Sequence, residues 1–140
     1  NVATQTLPSR TLGRSGIRET SRSIRATAVV AILVTAAVHV PVAVQHLPAV
    51  PYLGVAFYTF VVLNAGAAGS LLVDDHSWIW TGLAILNASA IVTYLISRAI
   101  GLPGAMDDRS DWANQAGIVA LVSELIVVTL AIQVLKRRQT

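Results

Sequence analysis

The stretch AGIVALVSELIVVTLAIQVL, residues 116–135, carries a single ionisable side chain, Glu124. At ~1.5 Å of rise per residue, a helix of this length reaches across a hydrocarbon layer of ~30 Å. A carboxyl group at its centre costs roughly 2.5–3.5 kcal/mol on insertion scales, so it calls for a buried partner, a proton or a task. The stretch therefore predicts a membrane-spanning helix that borders a polar interior.

Three further apolar runs lie upstream, at roughly 26–46, 52–73 and 78–100, each close to the ~20 residues a spanning helix needs. Composition agrees: 54% of the 140 residues are hydrophobic and 12% are charged, too apolar a balance for a water-soluble domain of this size. Leu47-Pro48-Ala49-Val50-Pro51 separates the first two runs, because proline lacks a backbone donor and crowds the preceding turn. Asp74-Asp75-His76-Ser77 forms a polar hairpin before the third run, with the acidic residues or Ser77 as candidate helix caps. Gly101-Leu102-Pro103-Gly104 stops the third run, and residues 107–114 form the one sizeable internal loop. Pro41, inside the first run, predicts a kink. The expected fold is an all-α, four-transmembrane-helix bundle over residues 26–140, with the fourth span at 116–135 and a basic arm at 1–25.

Basic residues set the orientation. Arg10, Arg14, Arg18, Arg22 and Arg25 precede the first span and Lys136, Arg137 and Arg138 follow the last, leaving only Arg98 and Arg109 between them. Four spans bring both ends to one side, and the positive-inside rule makes that side cytoplasmic; the expected home is a bacterial cytoplasmic membrane. The net charge of +3 thus reports topology rather than a nucleic-acid partner. Tyr52, Trp78, Trp80 and Trp112 fall near the predicted boundaries, where interfacial aromatics belong. On a helix the five arginines of the arm would share one face, a stripe suited to anionic headgroups or to docking on another membrane subunit. An arginine-rich, acid-poor arm is also the composition of an organellar transit peptide.

Counting from span midpoints puts Glu124 within about 2 Å of the bilayer centre, His39, Asn64, Asn87 and Tyr94 within about 6 Å, and Arg98 about 12 Å toward the outer side. Polar side chains in spans face the bundle interior. The expectation is one buried network of Glu124, His39, Arg98, Tyr94, Asn64 and Asn87, in which Glu124 carries a proton or pairs with Arg98 or His39, while Arg98 either snorkels to the outer boundary or forms an ion pair with Glu124 or with Asp107 and Asp108. Small residues surround the asparagines, Ala65 to Gly69 on one helix and Ala84 and Ala88 on the other, and predict packing seams with an interhelical amide bond. Toward the outer surface Asp107, Asp108, Asp111, Arg109 and His46 form a cluster, either a solvated helix cap or an oxygen-ligand site for a divalent cation.

His39 and His46 are candidate haem or metal ligands. They stand seven residues apart, ~10 Å along a helix axis, so either would need a second ligand from elsewhere. The absence of cysteine excludes disulfide scaffolds, iron–sulfur clusters, c-type haem attachment and thiol chemistry. The sequence also lacks a phosphate loop, a metalloprotease His-Glu pair, a nucleophile elbow and zinc spacing, so no catalytic set is assigned.

The segment Tyr94-Leu95-Ile96-Ser97-Arg98-Ala99-Ile100-Gly101-Leu102-Pro103-Gly104, followed by Asp107-Asp108, Trp112 and Glu124, resembles a group of small bacterial four-helix membrane proteins of unassigned function. The likeness lies in motifs over the last third of the chain and in hydropathy elsewhere. It implies no activity and flags Arg98, Asp107, Asp108 and Glu124 as a unit at the outer side.

Size, small-residue faces, the basic arm and the want of a catalytic set point to an accessory subunit of a larger membrane complex. Two rivals are a redox module with haem or metal on His39 or His46, and a proton- or ion-handling protein built on Glu124, His39 and Arg98. Topology is testable in this cysteine-free chain. With cysteine placed at Ser110 or Thr140, an impermeant thiol reagent applied outside the cell is expected to label the first and spare the second; the reverse would overturn the orientation.

Overall fold

The computed structural model describes residues 20–140, so Arg10, Arg14 and Arg18 of the expected basic stripe lie outside the described residues. Four helices follow in order: α1 (Arg22–Ala49), α2 (Pro51–Val73), α3 (Ser77–Ala99) and α4 (Gln115–Gln139), with a 3₁₀ turn at Met106–Asp108 in the α3–α4 loop. All four are long and apolar enough to cross a membrane.

Local chemistry explains most of the ends. The Ser21 hydroxyl accepts a bond from the Ile24 N–H at the start of α1, and the Asn114 side chain accepts one from the Gly117 N–H at the start of α4. Pro51 opens α2 at a position where a missing N–H leaves nothing unpaired. Gly101 and Gly104, with φ of 93° and 79°, turn the chain away after α3.

Several expectations are corrected. Helix α1 starts four residues before 26 and runs past Pro48, where the sequence predicted its end, to Ala49, leaving Val50 alone between α1 and α2; Pro41 lies within it. Each proline removes one donor, and the neighbouring turns hold. No side chain of Asp74, Asp75 or Ser77 caps α3; Asp74 instead lies 2.6 Å from Nδ1 of His76, and Asp75 binds elsewhere.

Helix α1 lies along both α2 and α4, α3 lies along α4, and α2 barely touches α3. The start of α1, the end of α4 and the α2–α3 turn occupy one end of the bundle, here the terminal end; the α1–α2 turn and the α3–α4 loop occupy the loop end. The terminal half is solid, its core drawn from all four helices around Ile32, Leu71, Trp80, Leu83 and Val127. Outward-facing positions stay apolar, as at Val30, Val62, Ile85 and Val122. Helices apolar all round suit a lipid surrounding, not water.

Of the small residues expected at the seams, Ala68 is buried in the core and Ala67 and Ala84 pack against it, whereas Gly66 and Gly69 face open space. The tight approach is instead at Gly54, where an added Cβ would fall 2.4 Å from Cα of Leu47, so α1 and α2 meet backbone to backbone beside their turn.

The terminal end is latched by Asp75. Its carboxylate accepts from the Thr20 N–H (2.8 Å), the Thr20 hydroxyl (3.1 Å) and the Trp80 indole N–H (2.7 Å), and Nη2 of Arg138 lies 2.7 Å away. Arg138 also donates to the Asp75 carbonyl at 2.7 Å. Trp80, expected at a membrane interface, is wholly buried because Asp75 satisfies its one polar atom. Arg25, expected on a stripe that faces lipid headgroups or a partner subunit, donates to the Leu71 carbonyl in the last turn of α2, where a helix leaves acceptors unpaired. Arg22 is exposed.

Burial alone would raise the Asp75 carboxyl, but the bonds from Trp80 and Thr20 and the Arg138 charge outweigh it and hold the group below its ordinary value of 3.8. Such a group stabilises the fold above that value and loses its contribution as pH falls further. Asp75→Asn is expected to destabilise the protein at neutral pH by on the order of 2 kcal/mol, and to converge on the parent below pH about 4. Unfolding midpoints in detergent measure both; a gap that persists at acid pH would show that the latch does not depend on the charge.

Candidate functional site: a cavity with polar ends

Asn64 and Asn87, wholly buried, mark where the solid half stops. Nδ2 of Asn87 donates to Oδ1 of Asn64 (3.1 Å), and each amide also donates to a carbonyl of its own helix, Phe60 and Leu83 respectively, at 3.0 Å. Toward the loop end α2 and α3 part, and a cavity of about 710 Å³ opens among all four helices. Its walls are mainly apolar, with Val38, Val42, Phe57, Phe60, Leu63 and Leu86 among them. This size and lining are those of small-molecule sites, which run to roughly 300–1,000 Å³.

His39 of α1 and Glu124 of α4 form the floor. Both are buried, and Nε2 of His39 lies 3.5 Å from Oε1 of Glu124. Beside them the Thr35 hydroxyl donates to Oγ of Ser123 (2.7 Å), and Ser123 donates to the Ala120 carbonyl (2.9 Å). Spacings of four on α1 (35, 39) and of three and four on α4 (120, 123, 127) put these groups and buried Val127 on facing stripes. Nδ1 of His39 is 2.8 Å from the Thr35 carbonyl. A carbonyl only accepts, so Nδ1 carries the hydrogen and Nε2 faces the carboxyl group. Phe57 and Phe60 flank the imidazole, with ring centroids 5.6 and 4.7 Å away.

In a dry, apolar setting a net charge is expensive, so the neutral total is favoured. Nε2 and the carboxyl group then share one proton, held either as acid beside imidazole or as carboxylate beside imidazolium. The floor therefore offers a bound ligand one donor and one acceptor that exchange places when the proton moves.

The loop end is strapped. Nη1 of Arg98 donates to the Asp108 carbonyl (2.7 Å) and lies 3.5 Å from Oδ1 of Asp108, while the Ser110 N–H donates to the Arg98 carbonyl (2.9 Å). The guanidinium sits 5.0 Å from the Tyr94 ring centroid, a cation–π distance. Tyr94 meets Trp112 edge-on at 6.4 Å. The Tyr94 ring lies so close over α4 that a Cβ at Gly117 would come within 2.8 Å of it. Nε2 of His46 is 3.7 Å from Oδ2 of Asp108, and the Tyr52 hydroxyl donates to the Pro103 carbonyl (2.6 Å).

The single network expected from depth is thus three separate sets: Asn64 with Asn87, His39 with Glu124, and Arg98 with Tyr94 and Asp108. Arg98 does not pair with Glu124, because the α3–α4 loop folds back and supplies Asp108 first. Of the loop cluster only Asp108 and His46 line the cavity. Asp107, Arg109 and Asp111 are exposed, with Asp111 accepting from the Asn114 side chain. Among the described residues no group of three or more His, Asp or Glu is placed to hold a metal, so of the two readings of the aspartates the cation site is not assembled. His39 and His46 both have Nδ1 held by a backbone carbonyl, at 2.8 and 2.9 Å, the kind of tie that orients a metal-ligating imidazole. A carboxylate oxygen stands before each free nitrogen. Sequence reasoning missed Thr35 and Ser123, and hydroxyls at helical spacing beside His39 and Glu124 were the available signal. Comparison with family models, curated proteins and solved structures gives no match to this chain.

Proposed function

We propose that this protein is an integral-membrane binding protein that takes a lipophilic small molecule into the outer half of its bundle, above a proton-carrying His39–Glu124 floor. The observation that carries this is the 710 Å³ cavity itself: apolar walls, a buried pair at one end and a strapped polar rim at the other. A bundle that served only as packing material would close such a space, since an empty cavity forfeits dispersion contacts along its lining. The chain termini lie on the cytoplasmic side of a bacterial membrane in this account, with the arm's arginines toward anionic headgroups.

A second reading, an accessory subunit of a larger complex, is favoured by Gly66 and Gly69, which open a smooth strip on the outside of α2 where another helix would fit closely. The two are separated by extracting the protein with its surrounding lipid and analysing what accompanies it. The cavity reading predicts a lipophilic molecule retained near one per chain and lost from Ala90→Phe, which sets a bulky ring into the cavity from α3. A protein that carries no such molecule and travels with other polypeptides would favour the subunit reading, and a haem absorption band would favour a redox module.

A further inference from the structure

The cavity is bordered differently at the loop end and between α2 and α3. Toward the loop end the way is crossed by the bonds of Arg98 to Asp108, Ser110 to Arg98 and Tyr52 to Pro103. Between α2 and α3 the helices barely touch, and Ala56, Thr59 and Leu63 on one side and Ser89, Ala90 and Thr93 on the other line the cavity. Five of the six are small, and all except half-buried Ala90 are exposed. The hydroxyls of Thr59, Ser89 and Thr93 are spent on carbonyls of their own helices, at 2.9, 2.7 and 2.8 Å. An apolar chain can lie in this gap without stranding a donor.

The floor restricts the head. His39 faces one carboxyl oxygen of Glu124, so a plain hydrocarbon would leave the second oxygen without a partner, a cost of about 1–3 kcal/mol for a polar group, and a phosphate or other fixed charge would add net charge at mid-membrane depth. A neutral oxygen that alternates between carbonyl and hydroxyl matches the pair in both states. The carbonyl accepts from whichever atom holds the shared proton, and the hydroxyl donates to whichever atom lacks it.

Resting on the lipophile-binding reading above, we infer that the ligand is a membrane-borne molecule of the quinone and hydroquinone class, which enters sideways between α2 and α3, seats a ring oxygen on His39 and Glu124, and leaves its tail in the gap.

Equilibrium binding to the protein in lipid nanodiscs tests this with three probes: decyl-benzoquinone, its hydroquinone, and the dimethyl ether of that hydroquinone, which keeps the shape and loses both the carbonyl and the hydroxyl. The first two are expected to bind saturably, the ether roughly tenfold or more weakly, about the loss of one buried hydrogen bond. His39→Phe is expected to narrow that discrimination, and Thr93→Trp to slow association of the quinone. Because the ligand comparison is made on the unmodified protein, it stands even where a variant fails to fold. Equal binding of quinone and ether, or no saturable quinone binding, overturns the assignment of class. Unslowed association with Thr93→Trp overturns the sideways route. If oleic acid binds in place of the quinones and Ala90→Phe abolishes it, the cavity reading stands and only the class fails; if no lipophile is lost on filling the cavity, both fail.

Discussion

Glu124 sets the terms for the rest of the bundle. It is 2% exposed in the middle of an apolar helix, and burying a carboxyl group there is favourable only if another polar group meets it. His39 is that group, and its side chain is aimed by the bond between Nδ1 and the Thr35 carbonyl. The Thr35–Ser123 bond holds α1 and α4 in register at the same level. Once those helices are joined at their polar centre, α2 must follow α1 across a one-residue turn and α3 must lie along α4, and α2 and α3 are left to meet or not.

They meet in one half only. At the terminal end Trp80 fills the space between helices and hands its indole N–H to Asp75, which also ties in Thr20 and Arg138. Toward the loop end Ala56, Ser89, Ala90 and Thr93 are too small to span the distance. The resulting division into a solid half and a hollow half is also a division of labour: rigidity comes from the latched end, and the floor pair is held from below while its upper side stays free for a ligand. Preorganisation of this kind places binding groups without a cost paid at the moment of binding.

How much of this was legible in the sequence follows from what each feature depends on. Four helices long and apolar enough to cross a membrane, and a mid-helix carboxyl group, are properties of single helices, so hydropathy and rise per residue reach them. The neighbourhood of His39 and Glu124 was half legible, because depth brings them level but does not say which faces meet. Depth alone misled at Trp80, which sits near a helix end yet points inward. For Arg98 the sequence left Glu124 and the Asp107–Asp108 pair open as partners, and a loop that folds back through glycines at 101 and 104 and a 3₁₀ turn brings Asp108 to it. The Asp75 latch and the cavity were illegible for one reason: both depend on how segments far apart in the chain are set against each other, and composition carries no trace of the separation of α2 from α3.

The central claim is that the hollow half is a ligand site with His39 and Glu124 as its floor. The most direct measurement is a crystal structure of the protein grown from a lipid mesophase supplied with decyl-benzoquinone. The account predicts ring density between α2 and α3, with an oxygen within hydrogen-bond distance of Nε2 of His39 or the Glu124 carboxyl group. Helices α2 and α3 closed upon each other, with side chains filling the space above an isolated His39–Glu124 pair, would contradict it.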